Sequence, residues 1–376
     1  MRNGRITEIM YGRFDDGRTP HDERDVIRVD RGVLCPGLID LHAHITLPAD
    51  GSVEVPRVSP TLDGETRSGH EVLRAMARAG ITTVRDCGGD ADLIFRISAR
   101  PRTDEARLIT CGAPLTPIGG HGADFGAAVR DAPEIRATVA RFAERGARFI
   151  KIMGSGGGSN GTHPSDPSFS APLLREAVCA ANHHGLLSTV HCLSAESMRL
   201  AAGAGTSMIE HAKFRTRAED GTGFDPAVAE LLAERGVDVT ATMSVGAHVL
   251  AQPPEVSGEA GITWRRRHEQ DMRDMSRLIE AGVSVLAGTD AGWRFTPFDA
   301  LAGEVALLAE CGMSRARAYA AATTEPARAL GRAGDIGRLA EGTYADMVLY
   351  DDDPLNDLRV LHHPRLVFAG GMRIEL

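Results

Sequence analysis

Residues 32–44 read GVLCPGLIDLHAH, a short apolar run broken by Pro36-Gly37 that ends on His42 and His44. In a strand, residues i and i+2 point to the same face, so both imidazoles can reach one metal ion. Seven further apolar runs follow: ITTVRD (81–86), ARLITCG (106–112), RFIKIMG (148–154), LLSTVHC (186–192), SMIEHA (207–212), VDVTATM (237–243) and VSVLAGTD (283–290). Between them lie helical patterns such as HEVLRAMARAG (70–80), PLLREAVCAANHHG (172–185) and DPAVAELLAERG (225–236), with apolar residues three and four apart and a closing Gly. Strands that are apolar throughout suit a parallel sheet buried on both faces. Eight strands alternating with helices predict an α/β protein, a (β/α)8 TIM barrel; a doubly wound open sheet has the same count. The placement of polar residues favours the barrel. His42, His44, Asp86, Lys151, His191, His211 and Asp290 all fall at strand ends, and a barrel gathers those ends at one mouth.

The two ends of the chain read differently. Residues 1–34 and 334–376 carry short strand-like runs, RITEIM, VIRVD, ADMVLYD and RLVFAGG, separated by Gly, Asp and Pro. They predict a small β-sandwich domain built from both termini around a barrel over 35–333. Two long loops, 154–168 and 244–263, are expected to shape the substrate site. The chain has 376 residues, 43% hydrophobic and 25% charged, with a net charge of −9, which argues against disorder and against a broad nucleic-acid surface. No apolar run reaches the ~20 residues of a membrane span, and no signal peptide is evident at the start. Six scattered cysteines without a CxxC pair fit free thiols in a reducing cytoplasm. The expected partner is a small-molecule substrate, with no nucleic acid and no membrane; assembly into a homo-oligomer is left open.

Only two of the 42 basic residues are lysine, Lys151 and Lys213. Codon bias accounts for the arginines. It leaves the two lysines to be explained, and arginine cannot stand in where a neutral amine must react. Lys151 lies among apolar residues, where an ammonium is costly. A neutral amine there can add CO2 to form a carbamate, an anion with two oxygens able to bridge two cations. Lys213 lacks the apolar context and reads as a surface or supporting residue. His191 and His211 close consecutive strands, and imidazole suits zinc and similar metals. Asp290 can ligate a metal, take a proton from bound water or cap a helix. Together the set can hold two divalent ions ~3.5–4 Å apart with a hydroxide between them. Rival motifs fail: GSGGGSNG (154–161) lacks the GKS or GKT of a phosphate loop, and neither GxSxG nor HExxH occurs.

With PGLIDLHAH, ITTVRDCGG, FIKIMGSGG, STVHC, MIEHA and LAGTDAG in order, then TTEPARALG and GRLAEGTYADMVLYDDDPL, the chain resembles the amidohydrolase superfamily over nearly its whole length. The resemblance implies that His42, His44, Lys151 and Asp290 hold one metal and that carbamylated Lys151, His191 and His211 hold the other, with zinc as the default. It implies Asp290 as proton shuttle. The single-metal deaminase branch usually has a glutamate three residues after the strand-five histidine; this chain has Ser194, which favours the two-metal hydrolytic branch. LITCGAPLTPIGGHG (108–122) and IEHA look most like prolidase-type, Xaa-Pro dipeptidase-related hydrolases. His121 and His163 are then expected at the substrate, His121 polarising its carbonyl. Trp293, Arg294 and His248 are further candidates for lining the pocket. The N-terminal segment, starting near NGRITEI, reads as lacking the family's usual first β strand. The implied reaction is hydrolysis of an amide-type C–N bond in a dipeptide, N-acyl amino acid or related small amide by a metal-bridging hydroxide. The alternatives are ring opening of a cyclic amide or imide, as in imidazolonepropionase, or single-metal deamination.

Overall fold

The computed structural model describes residues 1–10, 26–52, 61–218, 223–253 and 260–376. Its strands are β1 (Val33–Pro36), β2 (Leu38–Ala43), β3 (Ile81–Asp86), β4 (Arg107–Thr110), β5 (Leu115–Pro117), β6 (Ala127–Val129) and β7 (Phe149–Met153). They continue with β8 (Leu187–His191), β9 (Met208–Glu210), β10 (Asp238–Thr240), β11 (Val285–Leu286), β12 (Met347–Tyr350), β13 (Leu366–Ala369) and β14 (Met372–Ile374). Each of the eight apolar runs forms a strand. The short β5 and β6 lie in the segment after β4 and were not expected.

The strands form a three-stranded parallel sheet, β2-β3-β4, and a seven-stranded parallel sheet ordered β11-β10-β9-β8-β7-β5-β6. Backbone bonds join them on both sides. Arg148 N donates to Thr110 O at 2.9 Å, between the ends of β4 and β7. On the other side Leu41 N donates to Ala287 O at 3.3 Å, and Asp290 N to His42 O at 2.7 Å. Ala43 also forms a parallel bridge with Ala291.

Helices cover the outer face because their apolar residues recur on one side. In Ala171–His183, Leu174, Ala177, Val178 and Ala181 are buried, the i, i+3, i+4, i+7 pattern of a core-facing stripe. Burying a Leu or Val side chain is worth about 1.5–3 kcal/mol. Asp131 caps Ala132–Glu144 by accepting from Glu134 N at 3.0 Å, and Pro133 sits in its first turn.

At the termini, β1, β12, β13 and β14 pair in one antiparallel sheet. RITEIM forms no strand but is tied to 342–344 by a bridge from Arg5 to Tyr344 and by backbone bonds of Ile6 with Thr343 and Gly342, and VIRVD forms no strand. β1 runs on to Pro36, past residue 34. The expected second layer of a sandwich is therefore absent among the described residues.

The segment 244–263, read as a loop, contains the helix Ser244–Leu250 and the start of the helix Ala260–Glu280, while 254–259 lie outside the described residues. Glu304 holds the start of the first helix: its buried carboxylate accepts from Met243 N at 2.9 Å, Ser244 N at 2.7 Å and Ser244 Oγ at 2.6 Å. No described helix is long and apolar enough to cross a membrane. All six cysteines are unpaired, and only Cys179 is exposed.

Candidate metal centre and active-site cleft

His42, His44, His121, Lys151, His191, His211 and Asp290 line one cleft with a cavity volume of about 210 Å³. His163 does not line it. Its Nδ1 lies 2.8 Å from Ser165 Oγ, so its side chain folds back onto its own loop. His248 is likewise absent from the wall, while Trp293 and Arg294 belong to it.

The backbone leaves its ordinary conformation where the chain reaches the cleft. His211, Ala212, Thr242 and Asp290 have φ values of 70°, 47°, 51° and 59°. Left-handed backbone costs a non-glycine residue on the order of 1–3 kcal/mol. The neighbouring strands hold it: His211 N donates to Thr240 O at 2.8 Å, Thr242 N to Gly288 O at 3.1 Å and Asp290 N to His42 O at 2.7 Å.

The imidazoles sit ring to ring. Centroids are 5.3 Å apart for His42–His44, 5.0 Å for His42–His211, 4.6 Å for His191–His211 and 4.9 Å for His121–His191. Their outward nitrogens are engaged. His44 Nδ1 lies 2.6 Å from Gly88 O, and a carbonyl only accepts, so the proton sits on Nδ1. His42 Nδ1 lies 2.6 Å from the Glu210 carboxylate, which fixes the same tautomer. Both Nε2 atoms then face Asp290 Oδ1, at 3.4 Å from His42 and 3.3 Å from His44. Ring nitrogens converging on a carboxylate oxygen call for a proton or a cation between them.

Three more observations fit a cation. Lys151 Nζ, His191 Nε2 and Asp290 Oδ1 are buried without a hydrogen-bond partner, which is rare unless the group has another use. Ligand atoms of His42, His211 and Asp290 lie within 4.8 Å of one another. Burial pushes His42 and His121 down to about 4, and His191 and His211 well down, with the Lys151 charge adding to each, so these rings are neutral, the form that ligates metal. At His44 burial also opposes the charge, but Asp290 and Asp86 outweigh it and raise the pKa.

A second grouping, His42, Cys87 and Glu210, has no capacity left for a metal. Glu210 already accepts from His42, Thr189 Oγ1 and the Arg85 guanidinium, and burial pushes the Cys87 thiol up. Burial opposes the Glu210 charge too, but Arg85, Lys151 and His42 outweigh it and hold the carboxyl well below its usual range. Arg85 and Glu210 are 1% and 0% exposed, an ion pair inside the strands that ends on His42.

Sequence reasoning missed this pair, although both residues stand inside quoted runs, ITTVRD and MIEHA. It also misplaced Lys213. The lysine is 8% exposed and lines the cleft, with Nζ 3.4 Å from Asp271 Oδ2 and 3.2 Å from Met243 Sδ. Asp271 and Trp264 come from the helix Ala260–Glu280, whose face toward the cleft is set by tertiary packing. Asp290 does not cap a helix: the next one, Leu301–Glu310, begins eleven residues later. Ser194 caps Ala195–Ala204, and Glu196 lies in that helix's first turn.

The sequence model of the amidohydrolase family matches residues 33–373. A Mycobacterium tuberculosis protein is 30% identical over 348 residues, 91% of this chain and 85% of its own length. An ochratoxinase of Aspergillus niger is 26% identical over 369 residues, 89% of this chain and 73% of its own. The solved structure of a Xaa-Pro dipeptidase with bound methionine superposes with a TM-score of 0.84 at 24% identity, covering 100% of this chain and 93% of that one. The chain belongs to the amidohydrolase family and is a hydrolytic enzyme.

Proposed function

We propose that this chain is a two-metal hydrolase that cleaves an amide-type C–N bond in a small substrate, at the mouth of a (β/α)8 barrel formed by β2, β3, β4, β7, β8, β9, β10 and β11. The backbone bonds across both seams between the sheets support the barrel. One observation carries the site: Lys151, His191 and Asp290, each with a buried polar atom without a partner, line the cleft that His42, His44 and His211 also line.

His42, His44, Lys151 and Asp290 would hold one divalent ion; Lys151, His191 and His211 would hold the other. Zinc suits imidazole and carboxylate donors. Such ions supply Lewis acidity and a water nucleophile at neutral pH. Lys151 would serve both sites as a carbamate, formed when its amine adds CO2 with loss of a proton. Lys151 stands among the buried Phe149, Ile150, Ile152 and Met153 on β7.

Asp290 accepts the proton of the attacking water and passes it to the departing nitrogen. Burial raises the cost of its charge, but His42 and His44 outweigh that and lower its pKa, so the carboxylate starts ready to accept. His121 faces the cleft beside His191, its Nδ1 2.9 Å from Ser159 Oγ, and steadies the negative charge that forms on the carbonyl oxygen. The test is a panel of dipeptides and N-acyl amino acids assayed with the metal-loaded enzyme and with Asp290→Asn. Wild-type turnover that falls by orders of magnitude in the variant, at unchanged metal content, supports the reading. Near-normal turnover in D290N removes the proton role.

A further inference from the structure

We propose that Thr242 is a positioning residue for one metal ligand: its hydroxyl accepts a hydrogen bond from His211 Nδ1 and so leaves His211 Nε2 unprotonated. The inference rests on the two-metal reading above and adds what prepares one of its ligands. Thr242 lies just past β10 and, like His211, lines the cleft. Its Oγ1 is 2.8 Å from His211 Nδ1, and the two residues are 2% and 7% exposed.

The backbone at Thr242 is the first support. Its φ is 51°, a region where a β-branched residue is an outlier and glycine is at ease. Such a conformation persists only where the surroundings enforce it. Here they do. Thr242 N donates to Gly288 O at 3.1 Å. Glu304 clamps the next two residues, its buried carboxylate accepting from Met243 N, Ser244 N and Ser244 Oγ. A position shaped for glycine that holds threonine needs a use for the side chain. Among the described residues, the hydrogen bond of its hydroxyl ends on His211.

The second support is the contrast with the neighbouring rings. The Nδ1 partners of His44 and His42 are the Gly88 carbonyl and the Glu210 carboxylate. A hydroxyl differs, because it can donate or accept. His211 is buried and neutral, so one of its nitrogens carries the proton. With that proton on Nδ1, given to Thr242, Nε2 keeps the lone pair that ligation needs. Ring and hydroxyl are each held by backbone bonds, His211 N to Thr240 O at 2.8 Å and Thr242 N to Gly288 O, so the pair is set before any metal arrives.

The experiment compares wild type with Thr242→Gly, Thr242→Val and Thr242→Ser. Each metal-free protein is read by urea unfolding and by nitrogen NMR of labelled histidine, with the His211 signals assigned from their loss in His211→Gln. Each is then titrated with zinc in bicarbonate against a competing chelator. T242G relieves the backbone, so its metal-free form should be at least as stable as the wild type, yet one of two zinc ions should bind about 10–100-fold more weakly. T242V should show the same loss, and T242S should stay near the wild type. The His211 proton should sit on Nδ1 in wild type and T242S, and that preference should weaken in T242G and T242V. Where T242G fails to fold, T242V, which keeps the branched shape, decides. Unchanged zinc affinity in T242V, or a wild-type His211 protonated on Nε2, overturns the positioning role while leaving two bound ions standing. A less stable T242G with unchanged zinc affinity also overturns it and assigns Thr242 to the fold. A wild type that takes up no zinc overturns the two-metal reading and the ligand role of His211 with it.

Discussion

The two lysines sit at one cleft in opposite surroundings. Lys151 is 1% exposed in the middle of β7, and its Nζ has no hydrogen-bond partner. Lys213, two residues past His211, has a carboxylate at 3.4 Å and a sulfur at 3.2 Å. Lys151 thus has no fixed partner for its amine, while Lys213 is held by an ion pair and a sulfur contact. In the proposed function Lys151 would bridge the metal ions, while Lys213 is tied through Asp271 to the helix Ala260–Glu280; the neighbours set the two apart.

The most damaging change to this contrast is Lys151→Ala. It should abolish turnover and lower metal occupancy, and short carboxylic acids should restore part of both by supplying the missing oxygens. Lys151→Arg should not rescue, because a guanidinium cannot form the carbamate. Full activity in K151A without added acid would erase the distinction between the lysines.

Next in size is Glu210→Gln. It leaves the Arg85 charge buried without its carboxylate, at a cost of about 3–5 kcal/mol in unfolding free energy. It also loosens the His42 tautomer, so metal affinity should fall about 10–100-fold. Urea unfolding of the metal-free protein separates the first effect from the second, which metal titration reads.

A smaller effect is expected with pH. His42 and His121 are lowered to about 4 by burial, below the ordinary value near 6.5. The unfolded chain therefore binds more protons than the native one between those values. Stability of the metal-free protein should be full above about pH 6.5 and fall as pH drops toward 4. A urea midpoint that stays flat across that window contradicts the neutral-ring account.

The mildest perturbation is Gly157→Ala. A Cβ there would overlap His121 Nε2, so the ring must move from its bond with Ser159. kcat should fall by about tenfold, while metal content stays unchanged. An unaltered kcat would remove His121 from the reaction.

The strands were legible because each is an apolar run ending on a polar residue, a pattern that the sequence carries locally. The histidines, Lys151 and Asp290 were found as those endings, and the structure brings them into one cleft. Lys213 was misplaced for a physical reason. β9 stops at Glu210, and the chain turns left-handed at His211 and Ala212, so strand alternation no longer says where residue 213 points. What covers it, the helix Ala260–Glu280, comes from some fifty residues further along the chain. Arg85 and Glu210 escaped notice because a charged pair inside the strands has no local signature; each is explained only by the other. His163 was overcalled from its place in a glycine-rich loop, where its bond to Ser165 holds it.

The central claim is a pair of metal ions bridged through Lys151. The direct measurement is metal per chain by elemental mass spectrometry, on wild type and K151A grown with zinc and bicarbonate. The account predicts about two ions in the wild type, fewer in K151A, and a gain in K151A when short carboxylic acids are added. About one ion in both proteins, unmoved by added acid, would contradict it.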